Sequence, residues 1–219
     1  TGIVTTVLGN GQRASNGDGF LATEASTLMP DALFIDVNEN IYVGEKYGFR
    51  VRKVEAKTGV VTTIAGTGVP GMGAENVPAT KTECNSVEVG MWADPDGTVL
   101  YSDCGGRVRR IDGETGIVST VFGGTTIHDG ELATKAFLCG PRGLSVGPCG
   151  DIYFADTWSQ RIRAIDSKTG IVSTIAGNGN PGFGKENVLA TDTECNSIEV
   201  GIHVKDNDIF YSDCRGRVR

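Results

Sequence analysis

Four stretches of this chain are near copies of one another, and a sequence built that way folds as a series of equivalent units. TGIVTTVLGNG starts at Thr1, TGVVTTIAGTG at Thr58, TGIVSTVFGG at Thr115 and TGIVSTIAGNG at Thr169, an almost constant spacing. A basic segment precedes each of the last three: RVRKVEAK, RVRRIDGE and RIRAIDSK. RGRVR at 215–219 is a fourth copy of it.

Each unit reads as four short strands. In the third they are GLSVG (143–147), DIYFAD (151–156), RIRAID (161–166) and IVSTIAG (171–177), with turn residues such as GPCG between the first two. The runs are apolar without clean alternation, as expected of strands covered on both faces, and no segment shows a helical period. Units of about 55 residues with four strands have the length of a propeller blade. The expected fold is therefore all-β: one β-propeller domain, four blades' worth, with units at 1–57, 58–114, 115–168 and 169–219.

A longer period overlies the first. ENVPATKTECNSVEVG (75–90) recurs two units later as ENVLATDTECNSIEVG (186–201), so units one and three share one type and units two and four another. Five residues separate each of Arg52, Arg109 and Arg163 from the next unit, and only that five-residue turn is missing between Arg219 and Thr1. This predicts that Ile3–Leu8 is the outermost strand of the blade formed by 201–219 and closes it, which removes two open sheet edges. A whole four-bladed ring and four blades of a longer array both fit the alternation.

Charge narrows the partners. Lys and Arg number 20 against 27 Asp and Glu, a net charge of −7. Nucleic acid and anionic membranes are bound mainly through positive charge, so neither is expected as a partner. No apolar run approaches the ~18 residues of a membrane-crossing helix, and no membrane insertion is expected.

Six cysteines are informative by position. Cys84 and Cys104 in unit two match Cys195 and Cys214 in unit four. The first of each pair leads into the inner strand and the second ends the neighbouring antiparallel strand, which brings both sulfurs to one rim. Disulfides Cys84–Cys104 and Cys195–Cys214 are expected, with buried thiols as the alternative. Such bridges imply an oxidising, extracellular or cell-surface location. Cys139 and Cys149 flank one inner strand and fall at opposite rims, so they are either buried thiols or candidates for a covalent link between stacked molecules.

The Arg-x-Arg strands suggest ion pairing rather than a phosphate ring. Each unit places an acid at the end of the preceding strand: Glu45, Asp103, Asp156 and Asp213. Pairing of these with Arg52, Arg109, Arg163 and Arg219 within or between blades is the expected arrangement.

The repeat resembles the NHL family. The residues that carry the likeness are the glycine-rich Gly177–Gly184, Ala133-Thr134, the Pro-x-Gly-apolar strand Pro141–Val146, Asp156 on the second strand and Arg161-Ile162-Arg163 on the third. It covers all four units, although Glu88 and Glu199 take the proline position in units two and four. The resemblance implies a propeller, in a family whose rings mostly have six blades. It also implies a choice of roles: extracellular adhesion, RNA binding or a zinc-dependent peptide-amidating lyase.

That lyase uses a histidine-rich zinc site, whereas only His128 and His203 occur here, in non-equivalent places. Three neutral imidazoles are not present, so no metal site or catalytic residue is assigned. A packing role is expected for His203, which aligns with Trp92. The acid-rich turns Asp94-Pro95-Asp96-Gly97, Asp206-Asn207-Asp208 and Asn16-Gly17-Asp18-Gly19 make calcium the one cofactor to weigh, but Asp, Asn and Gly are also the default turn residues. The expected function is a non-catalytic extracellular scaffold or adhesion propeller that contacts other proteins or copies of itself, extending to a filament. The alternative is a ligand-binding or lyase- or hydrolase-like propeller with its site on the strand-entry rim, which a convergent pocket holding Asp18, Asp129 or His128 would favour. RNA binding is disfavoured by charge.

Overall fold

A computed structural model gives the fold and describes residues 2–124, 129–196, 201–206, 208–213 and 216–219. Blade one contains β1 (Pro30–Ile35), β2 (Ile41–Glu45), β3 (Arg50–Val54) and β4 (Val61–Ala65), hydrogen-bonded in that order. In blade two, β5 (Val77–Pro78) joins the edge of β6 (Val87–Ala93), β7 (Val99–Asp103), β8 (Arg107–Ile111) and β9 (Ile117–Phe122), giving the order β5-β9-β8-β7-β6. Blade three repeats the four-strand meander with β10 (Pro141–Val146), β11 (Ile152–Asp156), β12 (Arg161–Ile165) and β13 (Val172–Ala176). Blade four has three strands among the described residues, β14 (Ile202–Lys205), β15 (Asp208–Asp213) and β16 (Arg217–Val218). The helical elements among the described residues are single 3-10 turns at Ala79–Lys81, Thr157–Ser159 and Ala190–Asp192. These are the small antiparallel sheets of a four-blade β-propeller.

The chain forms two compact units. One comprises Thr1–Glu88, Ala93–Val99 and Ile111–Ser119; the other comprises Val89–Trp92, Leu100–Arg110 and Thr120–Arg219. The second unit holds the larger core, where Leu100, Val108 and Phe122 of blade two pack with Leu144, Phe154, Ile165 and Val172 of blade three. The Phe122 and Phe154 rings meet at 4.5 Å, tilted by 56°. On the other face of blade three, Ala155, Ile162 and Ala176 pack with Cys195, Ile202 and Tyr211. Side chains alternate between the two faces of a strand. With apolar cover on both faces, blade three has no reason to alternate polar and apolar residues. The first unit holds a smaller core of Ala22, Ala25, Val54 and Val61, joined by Leu8 and Ile41.

Two glycines show why the repeat carries Ala-Gly at the end of its outer strand. Gly66 and Gly177 have φ of +87° and +89°, which L side chains avoid. A Cβ would collide with Phe49 O at the first and with Gln160 O at the second.

The strand expected over Ile3–Leu8 does not form. Residues 2–6 belong to no strand among the described residues, and Ile3 and Val4 are exposed. A strand needs a neighbour to satisfy its backbone groups. From Leu8 on the chain is instead tied to blade one: Leu8 joins its core and Gly9 N–H donates to Ala22 O at 2.9 Å.

Candidate functional site

The Arg-x-Arg strands fall into two arrangements, one for each blade type. In blade one, Arg52 on β3 is 1% exposed. Its Nη1 lies 3.4 Å from Glu45 Oε1 at the end of β2, and its Nη2 lies 2.7 Å from Asp18 Oδ1 in the preceding loop. The same guanidinium donates to Ser26 O and Asn16 O, while Ser15 Oγ donates to Glu45 Oε2. Blade three repeats this two units on. Arg163 Nη1 is 3.6 Å from Asp156 Oδ2, and its Nη2 is 2.8 Å from Asp129 Oδ1. Asp129 also accepts the Thr174 N–H at 3.0 Å. Burial alone would raise the Asp129 carboxyl, but the bonds from Thr174 and Arg163 hold it below the usual range. Burial pushes Asp156 up despite Arg163.

Blades two and four use the first arginine instead. Arg107 Nη2 is 2.7 Å from Asp103 Oδ2, and Arg217 Nη2 is 2.6 Å from Asp213 Oδ2. The β7–β8 loop is three residues long against four in β2–β3, yet the acid stands opposite the first arginine in both blade types, at Glu45↔Arg50, Asp156↔Arg161 and Asp213↔Arg217. Arg109 is fully buried, and its charge helps to offset the burial that raises Asp103. Arg219 turns to Glu186 Oε1 at 3.0 Å and to Lys185 O at 2.8 Å. These groups are spent on one another and on backbone carbonyls, so they lock loops to strands.

Asp18 and Asp129 are legible in the sequence as a matched pair. NGDGFLAT (16–23) and IHDGELAT (127–134) stand two units apart in equivalent places, but their turn-forming composition conceals the arginine partner. His128, whose place in a pocket would have favoured an enzyme, lies outside the described residues. Of the acid-rich turns, Asp96 Oδ1 accepts the Thr98 N–H at 2.7 Å inside the β6–β7 connection, and Asp18 is taken by Arg52. No group of three or more His, Cys, Asp or Glu suited to a metal occurs among the described residues. His203 is exposed on β14, not packed as its alignment with Trp92 predicts.

Cys84 is buried and Cys104 is exposed at the start of the β7–β8 loop, and among the described residues no disulfide is formed. Cys195 is buried with Sγ 3.8 Å from Tyr211 Oη, and burial raises its thiol. Its expected partner Cys214, like Glu199, lies outside the described residues. Cys139 and Cys149 lie beyond opposite ends of β10, the second exposed.

The first unit carries an apolar groove of about 300 Å³ along blade one, lined by Val7, Leu8, Ala32, Leu33, Ile41 and Val43. Leu33, Ile35 and Val37 are 63%, 55% and 79% exposed beside it. This is the face that register assigns opposite to Tyr42 and Gly44, and Gly44 lies against Val87 of blade two. One face of blade one is therefore covered, and on the other Leu33 and Ile35 are exposed while Val43 is buried.

Comparison with known proteins agrees with the fold. No family model matches the chain. Teneurin-m of Drosophila melanogaster is 26% identical over 238 residues, which is 94% of this chain and 8% of that protein. Human Teneurin-4 is 28% identical over 243 residues, again 94% and 8%. The chain thus spans less than a tenth of the length of these relatives. Among solved structures, an auxiliary nutrient binding protein from Bacteroides thetaiotaomicron aligns over 92% of this chain and 52% of its own, with TM-score 0.63 and 19% identity. One from Bacteroides ovatus aligns over 87% and 47%, with TM-score 0.60 and 21% identity. Blades, register and neighbours define a β-propeller.

Proposed function

We propose that this chain is the propeller part of an extracellular protein and works as a non-catalytic scaffold that binds other proteins, built from four NHL-type units at 1–57, 58–114, 115–168 and 169–219. The observation that carries this reading is the open apolar face of blade one, with Leu33, Ile35 and Val37 more than half exposed. Contiguous exposed apolar surface on a folded domain marks a place where another macromolecule sits. The charged groups that could do chemistry are instead committed to buried pairs, as at Arg52–Glu45 and Arg163–Asp156. The NHL-like motifs and the alignment with teneurins over 94% of the chain support the propeller-scaffold part of the reading. The matched cysteines support the extracellular part, and bridges Cys84–Cys104 and Cys195–Cys214 belong to the proposal. In the test, beads coated with the chain are applied to intact cells of the producing organism, before and after surface proteins are stripped with protease. Retention that disappears on stripping is the expected result. Retention that survives it, or none at all, overturns the reading.

A further inference from the structure

The dipeptide Asn-Gly occurs at 10–11, 16–17 and 178–179. In this pair the asparagine side chain is most open to attack by the backbone, because glycine has no Cβ to screen the amide nitrogen that follows. All three asparagines are exposed, so exposure does not separate them. Their side-chain hydrogen bonds do.

Asn10 and Asn178 hold equivalent places in the repeat and are tied in the same way. Asn10 Oδ1 accepts the Gln12 N–H at 3.0 Å, and its Nδ2 donates to Glu24 O at 2.8 Å. Asn178 Oδ1 accepts the Asn180 N–H at 3.0 Å, and its Nδ2 donates to Asp192 O at 3.4 Å. In both, the carboxamide is a structural part of a turn. Asn16 differs. Its side chain makes no hydrogen bond among the described residues, and neither does the Gly17 N–H. The Asn16 backbone is held by Ser26 O at 3.4 Å and by Arg52 Nη2 at 3.2 Å, and neither bond involves the carboxamide. Gly17 is itself fixed as glycine, with φ +87° and a would-be Cβ 2.7 Å from Ala25 Cβ.

We propose that Asn16–Gly17 is a site of spontaneous modification, where the side chain deamidates through a cyclic imide and the product disturbs the Arg52 lock. This goes beyond the protein-binding reading and does not rest on it. Gly17 N attacks Asn16 Cγ: the N–Cγ bond forms, the Cγ–Nδ2 bond breaks, the Gly17 amide proton passes to water and Nδ2 takes up a proton to leave as ammonia. Water then opens the ring at one of its two carbonyls and leaves aspartate or isoaspartate, with one new negative charge and nothing oxidised or reduced. In isoaspartate the main chain runs through Cγ and is one atom longer, and the carbonyl that Arg52 bonds becomes a free carboxylate. A third carboxylate then joins Asp18 and Glu45 around a guanidinium that is 1% exposed. Like charges so placed oppose one another, and the segment that carries Asp18 no longer has the length that fits.

The test ages the chain in mildly alkaline buffer, folded in one arm and in denaturant in the other. Peptide mass mapping with enzymatic detection of isoaspartate follows the three sites. Tethers of ordinary net strength slow ring closure by about tenfold, so in the folded arm Asn16 is expected to convert about tenfold faster than Asn10 and Asn178. In denaturant the three are expected to convert at similar rates. Folded rates that are alike, or an Asn16 that is slower, overturn the proposal. So does the same preference for Asn16 in denaturant, because local sequence and not the fold would then set it. Ion exchange separates the protein that carries the added charge, and its urea midpoint is expected below that of unconverted protein. Asn16→Gln, which must close a larger ring, is expected to keep its midpoint through the same ageing. Equal midpoints before and after conversion at Asn16 overturn the effect on Arg52.

Discussion

Leu33 and Leu144 occupy the same register position, opposite Val43 in one blade and Phe154 in another, yet the first is 63% exposed and the second 8%. Nothing in their own strands accounts for this difference, since β1 and β10 pair with β2 and β11 in the same pattern, including a register shift near the start. Leu144 packs with Leu100 and Val108 of blade two. Burial of a leucine side chain contributes roughly 1.5–3 kcal/mol.

The Arg52–Glu45 pair is expected to specify the blade more than to stabilise it. Both groups are essentially excluded from solvent. Arg52→Met should destabilise the chain by about 3 kcal/mol or more, because it strands the Glu45 carboxylate and its Ser15 bond in the interior. The double variant Arg52→Met, Glu45→Leu should recover most of that loss, since it removes both charges together. Chemical denaturation of the three proteins measures this. A double variant less stable than the single one would show that the pair is strongly favourable.

Asp36 should give the acid limb of stability part of its slope. Its Oδ1 accepts the Asn38 and Asn40 N–H groups at 2.9 and 2.8 Å, and its Oδ2 accepts Asn40 Nδ2 at 2.9 Å and Tyr42 Oη at 3.1 Å. Burial pushes this carboxyl up, but the four bonds together hold it below the usual value. A carboxyl lowered by folding contributes stability that is present above the ordinary value of ~3.9 and lost as pH falls through its own lower value. Asp36→Asn should cost about 1–2 kcal/mol at pH 7. The gap to the unaltered protein should narrow below roughly pH 4. Urea midpoints at pH 7, 5 and 3 test this, and a gap that stays constant with pH would rule the carboxylate out as its source.

How far the sequence predicts this arrangement depends on how local each feature is. The one-unit and two-unit periods carry enough redundancy to place the strands of blade three within two residues of β10–β13, because each unit repeats the same turn and strand chemistry. Ile3–Leu8 is a different case. Its sequence copies β9, but a strand also requires a partner, and sequence alone does not say where that partner is. The arginine pairs are legible in kind and not in detail. The acid stands opposite the first arginine in both blade types, so the pattern does not give the partner, and Asp18 and Asp129 are disguised as ordinary turn residues. The alignment of His203 with Trp92 predicts packing, whereas His203 is exposed on β14.

The glycines that close the outer strands should not tolerate a side chain. Gly66→Ala and Gly177→Ala each force a Cβ into a carbonyl oxygen, and at Gly66 also to within 2.8 Å of Cys84 Sγ. The left-handed conformation alone costs about 1–2 kcal/mol for alanine. Gly116, at φ +68° with nothing within 4 Å of a Cβ, isolates that conformational part. Gly116→Ala is expected to lower stability by about 1 kcal/mol, and Gly66→Ala and Gly177→Ala by clearly more. Thermal melts that rank all three alike would show that the outer strand shifts to admit the methyl group.

The cysteines test the location assigned to the protein. Cys84 precedes β6 and Cys104 follows β7, which pairs antiparallel beside it, so both lie toward the same end of that strand pair. A bridge there closes a loop of about 20 residues and is worth roughly 3 kcal/mol on the chain-entropy estimate. Protein made through a secretory route, unfolded without reductant, should show at most two reactive thiols of six if Cys84–Cys104 and Cys195–Cys214 both form. Protein made in a reducing cytosol should show all six, and the exposed Cys104 and Cys149 should react first in the native state. Cys195 should lag behind them, because burial raises its thiol and little thiolate is present at neutral pH. Five or six reactive thiols in the secreted material would remove both the bridges and the main chemical reason for an extracellular assignment.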